Sequence, residues 1–510
     1  MPYLTDVKGF SLEVVTNDIF PVSIYASLVF YLLAGPVSHA LGTKAFVVLG
    51  ACCKLGTRMI LIWGDSLSAM RFMQVLFAAG SASDLILFAH VYAVTEVGAY
   101  QSVTGAVSAA TLVAYMLAAE FGQVAFDSGA SYEALFYFSF VAVGVGTVIG
   151  FFLPTPSMPA SSLDSAASGS WPGIGSGDRG RGMGTGGASA FRGLCTADWR
   201  EHRDLALRAV ADTREAMRAC YGSSCMLVLS GWWIVGVMPA QFIENYGTNL
   251  FDAIDPDVDA NGHITFAARG LMSIASAAAA VAGPRVAAEP GVYAAASGLA
   301  AVSAWLMVGA DTLGLAAFAY CITLSALQGA SCLVYSQSAL AMDAINASRA
   351  RRLAVNGSAD REGGGGFDAI DGAGTEGENA VPSATRTSAS DCPPGCGDHA
   401  LLFGANGALS LLALIVLQGA VDAARVSIRA EIAVAAGWCF AAAVLVLAMA
   451  GIRRSWKGSW ALEPTAGDLR TGNTNAGRAE SDGEGDGEAL GDVVSGGGTV
   501  SDHRRLLAND

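Results

Sequence analysis

Eleven stretches of this chain restrict what it can fold into more than any other feature, each being near the roughly 20 apolar residues that a helix needs to cross a bilayer. They lie at about 19–39, 44–63, 70–94, 100–124, 133–153, 225–243, 264–283, 291–309, 313–341, 400–422 and 432–452. In hydrocarbon each backbone N–H and C=O must find its partner within the segment, so runs of this length predict helices. The expected fold class is all-α, a polytopic membrane protein with about eleven transmembrane helices in a lipid bilayer. Composition agrees: 53% of the 510 residues are hydrophobic and 14% charged, with a mean hydropathy of +0.46, which separates the chain from soluble enzymes. The net charge of −15 lies mostly in polar segments, after Trp460 and between Glu244 and Asp259. No basic patch with interleaved aromatics occurs, so nucleic-acid binding has no support.

The spans fall into two groups. Residues 155–190 are rich in Pro, Ser and Gly, the composition of a linker, and Thr196 to Ala219 has the charged helical pattern of an amphipathic helix at the membrane surface. The expected division is an N-terminal helix bundle over 1–154, a cytoplasmic linker with that amphipathic helix over 155–224, a C-terminal bundle over 225–454 interrupted by a disordered loop at 346–398, and a disordered tail over 455–510. Basic residues near the spans set the orientation. Arg179, Arg181, Arg192 and Arg200 in the central break, Arg349, Arg351 and Arg352 in the late loop, and Arg453, Arg454 and Lys457 at the start of the tail all belong in the cytoplasm. The acidic stretch from Glu244 to Asp259 fits the outside, while the loop with Arg425 and Arg429 is an exception. With an odd number of spans and the C-terminus inside, Met1 lies outside, and so abrupt a start implies that a preceding span is missing.

Charges inside spans are the candidate functional groups, because each costs about 2.5–3.5 kcal/mol at the bilayer centre on insertion scales. Asp84 sits in the middle of the third span, and helical spacing puts Phe77, Ser81, Asp84, Phe88 and Tyr92 on one side. An acid in a strip of rings suits an organic cation; equally, Asp84 can neutralise a base on a neighbouring helix. Lys54 and Arg58 lie one turn apart in the second span. They are either anion ligands or partners for Asp84 and Glu120, with snorkelling to an interface a third course for Arg58. Glu120 has the same two roles open, binding a cation or balancing a base. Arg269, near the start of its span, reads as an interface residue, and His90 as an interhelical hydrogen-bonding group. Gly144, Gly146 and Gly150 read as a close-packing face. Cys392, Cys396 and His399 form a loose cluster short of the four ligands of structural zinc. No metal, no cofactor and no catalytic constellation of paired acids and histidines is expected, so an enzyme is not the reading.

Ordered matches along the membrane part carry a family resemblance. Pro2-Tyr3-Leu4, then Val15-Thr16-Asn17, Ile19, Pro21-Val22 and Tyr25, resembles the outer end of the first helix and the start of the second in the reduced folate carrier and thiamine transporter family. Tyr100-Gln101 with Val103 and Gly105, Gly122-Gln123, Trp232-Trp233 followed by Asn245-Tyr246, and Ala400-Leu401 with Phe403-Gly404 and Asn406 resemble later helices of that family in order. The resemblance implies a major-facilitator-like two-bundle fold with most of the first family helix missing, a midplane cavity and alternating access. Residue by residue, it implies substrate-binding roles for Gln74, Phe77 and Asp84, where thiamine transporters of the family have a glutamate, an aromatic and an acid. At the Asp84 position folate carriers have arginine. Ser23 departs from the tryptophan of the thiamine transporters, Gln74 is neutral, and the eleventh-helix lysine of folate carriers is replaced by apolar sequence near Leu414.

The expected function is transport of a vitamin by alternating access, with a thiamine-like cation favoured over a reduced folate. The candidate substrate contacts are Asp84, Phe77, Gln74, Phe88, Glu120, Trp233, Asn245, Lys54 and Arg58. A vitamin-binding, receptor-like protein that does not transport is the alternative of another class. The resemblance places the protein in the plasma membrane and leaves its oligomeric state open.

Overall fold

The computed structural model describes residues 3–155, 214, 217–218, 221–256, 260–362, 396–424 and 426–455. Eleven helices long and apolar enough to cross a membrane are found among them: α1 (Phe20–Leu41), α2 (Thr43–Trp63), α3 (Leu67–Val94), α4 (Tyr100–Asp127), α5 (Tyr132–Phe151), α6 (Ser224–Ile254), α7 (Asn261–Val281), α8 (Pro290–Val308), α9 (Leu313–Glu362), α10 (Cys396–Ala424) and α11 (Ile428–Ser455). No strand occurs among the described residues. Local chemistry sets several ends. Ser66 and Ser131 accept from the N–H of Ala69 and Ala134 at 3.1 and 3.3 Å, capping α3 and α5. The tight link from α1 to α2 is made by Gly42 at φ +85°, where a side chain would be strained.

Two helices run further than their hydrophobic patterns. The sequence reading ended the sixth span at 243 and placed Glu244 in an outer loop; α6 runs through Pro239 and continues to Ile254, because no further proline comes before Asp255-Pro256. Glu244 and Asn245 are therefore inside it. The ninth span was expected to stop at 341, and α9 runs to Glu362, into the stretch read as a loop. The close-packing face expected on α5 is not formed: Gly144 only touches Leu55, and Gly146 and Gly150 face open space. Arg429, the exception to the charge rule, donates to the Val308 carbonyl at 2.6 Å and lies 3.9 Å from Asp311. Most of the amphipathic helix and the linker, residues 363–395 of the loop with Cys392, and nearly all of the tail lie outside the described residues.

The first half, α1–α5, meets the second, α6–α11, along two lines of small residues. α4 lies along the whole of α7: a Cβ on Gly105 would come within 2.5 Å of the Ala280 Cβ and 2.6 Å of the Ser276 carbonyl oxygen. The Gln101 amide donates to the carbonyls of Ala279 and Ala282, Ser273 Oγ donates to Ala109 O at 3.1 Å, and the Gly262 N–H donates to Gln123 Oε1 at 3.0 Å. The second line joins α1 and α3 to α10, with Gly35 against Leu401, Gly404 against the Tyr31 carbonyl, and Gly407 against Leu85 and Tyr31. Without hydrophobic drive between helices in lipid, such close backbone approach is what holds them.

Candidate functional site

The first charged centre is built on a glycine. α2 and α3 approach where Gly80 leaves no side chain, and the Lys54 stem fills that place, so close that a Cβ there would lie 2.6 Å from Lys54 Cγ. The stem carries Nζ one turn further, to 2.5 Å from Asp84 Oδ1. Asp84 is 55% and Lys54 37% exposed, so the pair borders open space and is not sealed in the core. Of the two roles open for Asp84, the structure forms the internal pair with Lys54.

Arg58 stands one turn along α2. It lines a cleft of about 330 Å³ with Ser23 and Phe20 of α1, Gln74 and Phe77 of α3, Phe136 of α5 and the Tyr3-Leu4 turn. Its Nε is buried without a hydrogen-bond partner, and it makes no ion pair among the described residues. Three of the expected contacts, Gln74, Phe77 and Arg58, thus share one aromatic-walled cleft. Gln74 is buried and Phe77 half exposed.

Phe88 and Trp233 come together elsewhere. Trp233 of α6, 1% exposed, packs on Tyr335 of α9 at 4.2 Å and edge-on to Phe403 of α10 at 4.7 Å. Phe88 of α3 reaches the same rings at 5.7 and 6.5 Å. The cluster continues towards the arginine-rich end through Tyr92, 5.9 Å from Phe403, and Tyr100, 4.7 Å from Tyr92. There Asp343 accepts from Tyr100 Oη at 2.8 Å and faces His399 Nε2 at 2.9 Å. Helices of both halves are therefore tied at the end that the basic residues assign to the cytoplasm.

Glu120 lies apart from these groups, 3.0 Å from His263 Nδ1 at the other end of the α4–α7 line. Asn245 is exposed on α6 and joins none of them. His90 meets Thr43 Oγ1 at 3.0 Å, the interhelical role expected for it. Sequence reasoning missed the Tyr100–Asp343–His399 group, although a carboxylate in an apolar helix was a usable signal for Asp343. It also missed the pairing of Glu244 with Arg269 at 3.1 Å, having read one as loop and the other as interface.

Eleven helices long and apolar enough to cross a membrane, two groups of them meeting along small-residue lines and a charged pair inside each group define a polytopic membrane protein. The human organic anion transporter MFSD10 (TETRAN) has a similar fold, with a TM-score of 0.53 at 12% identity over 87% of this chain and 88% of that one. The model of the Reduced folate carrier family matches residues 1–326, and the chain belongs to that family. Thiamine transporter 1 of Homo sapiens is 29% identical over 157 residues, covering 30% of this chain and 32% of that protein. Thiamine transporter 2 of Macaca fascicularis is 23% identical over 279 residues, covering 51% and 56%. Folate transporter 1 of Caenorhabditis elegans is 26% identical over 159 residues, covering 30% and 35%. The chain thus spans between about a third and just over half of the curated relatives it matches.

Proposed function

We propose that the chain is a vitamin transporter of the plasma membrane, working by alternating access and not as an enzyme. The proposed path runs from the cleft of Gln74, Phe77 and Arg58 within the first half, past Asp84, to the rings of Phe88 and Trp233 where the halves meet. The ties at Tyr100, Asp343 and His399 hold the cytoplasmic end closed, so solute enters from outside. The two-bundle division of the chain, 1–154 and 225–454, is part of this proposal.

The solute class that the geometry supports best is an anionic vitamin such as a folate. One observation carries this: Asp84, Glu120, Glu244 and Asp343 each have a lysine, arginine or histidine partner, whereas Arg58 has no acidic partner among the described residues and stands in an aromatic cleft. A guanidinium offers a planar fork suited to a carboxylate, and the rings suit a flat heterocycle. The thiamine reading remains second, favoured by the half-exposed Asp84 and by relatives named thiamine transporters. It requires Lys54 to release the acid. Labelled folate and labelled thiamine uptake, measured side by side in cells expressing the chain, tests both readings. Folate uptake that falls at least about tenfold with Arg58→Gln, as the loss of one charge-assisted contact predicts, and survives Asp84→Asn supports the anion. The reverse pattern with thiamine supports the cation. Binding without uptake of either moves the receptor-like alternative ahead.

A further inference from the structure

The second half carries its own charged pair inside two candidate spanning helices, and nothing above uses it. Glu244 of α6 and Arg269 of α7 are joined Oε1 to Nη1 at 3.1 Å, with side chains 28% and 24% exposed. Arg269 also lies over the ring of Tyr115 of α4, its Cζ 5.6 Å from the centroid. Tyr115 belongs to the first half and is more than half exposed. Tyr320 of α9 closes the inner wall, its ring packed on Gly247 one turn beyond Glu244. One guanidinium thus touches an acid of its own half and an aromatic ring of the other.

A pair of this kind is weak evidence for stability, because apolar residues of similar volume commonly serve as well or better. A guanidinium has five N–H donors. Glu244 takes one of them at 3.1 Å, and Met272 Sδ lies 3.9 Å from the same nitrogen, which leaves the outer edge of the fork for a further acceptor. Resting on the proposed function, we propose that Arg269 is a substrate ligand in the second half: its guanidinium receives an anionic group of the solute, a carboxylate or a phosphate, in competition with Glu244 and against the ring of Tyr115. With Arg58 in the first half, such a solute touches both halves, the differential contact that alternating access needs. Glu244 acts as a placeholder that keeps Arg269 neutralised while the site is empty.

The test uses the purified full chain, both for ligand-induced thermal shift and for uptake in liposomes. Folic acid is the carboxylate probe, inorganic phosphate the phosphate probe and thiamine the cationic control. Arg269→Gln should weaken folic acid or phosphate binding at least tenfold and leave thiamine unchanged, while Glu244→Gln should tighten the same anion. The double variant Glu244→Gln with Arg269→Gln should keep the Arg269→Gln defect. If instead both single variants weaken anion binding alike and the double variant restores it, the pair is structural and the inference is overturned. Anion binding that Arg269→Gln leaves unchanged also overturns it. Anion binding lost in Arg269→Gln, in a protein that transports no vitamin, would uphold this site and refute the transport reading. A wild-type chain that neither binds nor transports refutes both.

Discussion

Replacing Tyr100 by Phe removes one hydroxyl from the contact proposed to close the cytoplasmic end. That hydroxyl donates to Asp343 at 2.8 Å in a partly buried setting, and a hydrogen bond to an ionised group contributes about 1.5–3 kcal/mol. Asp343 keeps His399 at 2.9 Å, so the carboxylate is not stripped of partners and the lower part of that range applies. The ring stays packed on Tyr92, 4.7 Å away, so apolar burial hardly changes. A loss of about 1.5–2 kcal/mol multiplies the ratio of inner-open to inner-closed molecules by roughly 10 to 30. Ala400 provides the probe position, being fully buried among Ala34, Phe46, Ile86 and Ala89 where α10 meets the first half. Ala400→Cys, in a chain with its native cysteines replaced, should be alkylated by an impermeant maleimide only when the inner end opens. In inside-out vesicles Tyr100→Phe should raise that rate about tenfold or more, since labelling follows the open fraction. Equal rates, with normal amounts of protein in the membrane, would show that this contact does not hold the inner end closed.

Other substitutions probe the packing and the first charged centre. Lys54→Met and Asp84→Leu should each destabilise detergent-extracted protein by about 1 kcal/mol, given that the pair is partly exposed, read as a lower melting temperature that the double variant recovers. Three equal losses would mean that the two charges are not coupled. Gly105→Val drives a side chain into the α7 backbone and should cost several kcal/mol, in the manner of severe overpacking, seen as loss of monodisperse protein; a normal yield would argue against the tight α4–α7 line. Trp233→Ala empties a site walled by Tyr335 and Phe403 and should cost about 3–5 kcal/mol, whereas Trp233→Phe should cost clearly less in the same melts. Similar melting for both would place Trp233 outside the packed cluster.

The spans were legible because length and apolarity are properties of single segments. Their ends were less so: the acids after residue 243 looked like loop, yet α6 carries Glu244 and Asn245 as helix until Pro256 stops it. Asp84 was legible as a charge at depth, and Lys54 and Arg58 as its candidate partners; that Lys54 is the one that pairs depends on which side chain lies opposite. Gly80 was the missing clue, as it admits the Lys54 stem. Phe88 and Trp233 were each singled out for a shared cavity; that they meet on Tyr335 and Phe403 is a fact of tertiary packing that no helical periodicity contains. Asp343 escaped notice because the apolar pattern was ended two residues before it.

The lines of glycine and alanine between the halves have a further consequence for how the molecule moves. Faces that meet through small residues in a bilayer lose only dispersion when they part, because lipid tails solvate the uncovered surface as well as another helix does. The polar contacts between the halves, Tyr100–Asp343 at the arginine-rich end and those of Gln101, Ser273, Gln123 and Glu120 along the α4–α7 line, are then the chief intramolecular resistance to rearrangement, and the acyl chains around the helices add to it. If the proposed transport holds, bilayer thickness and packing enter its kinetics alongside solute concentration, with the membrane acting as a working part of the machine.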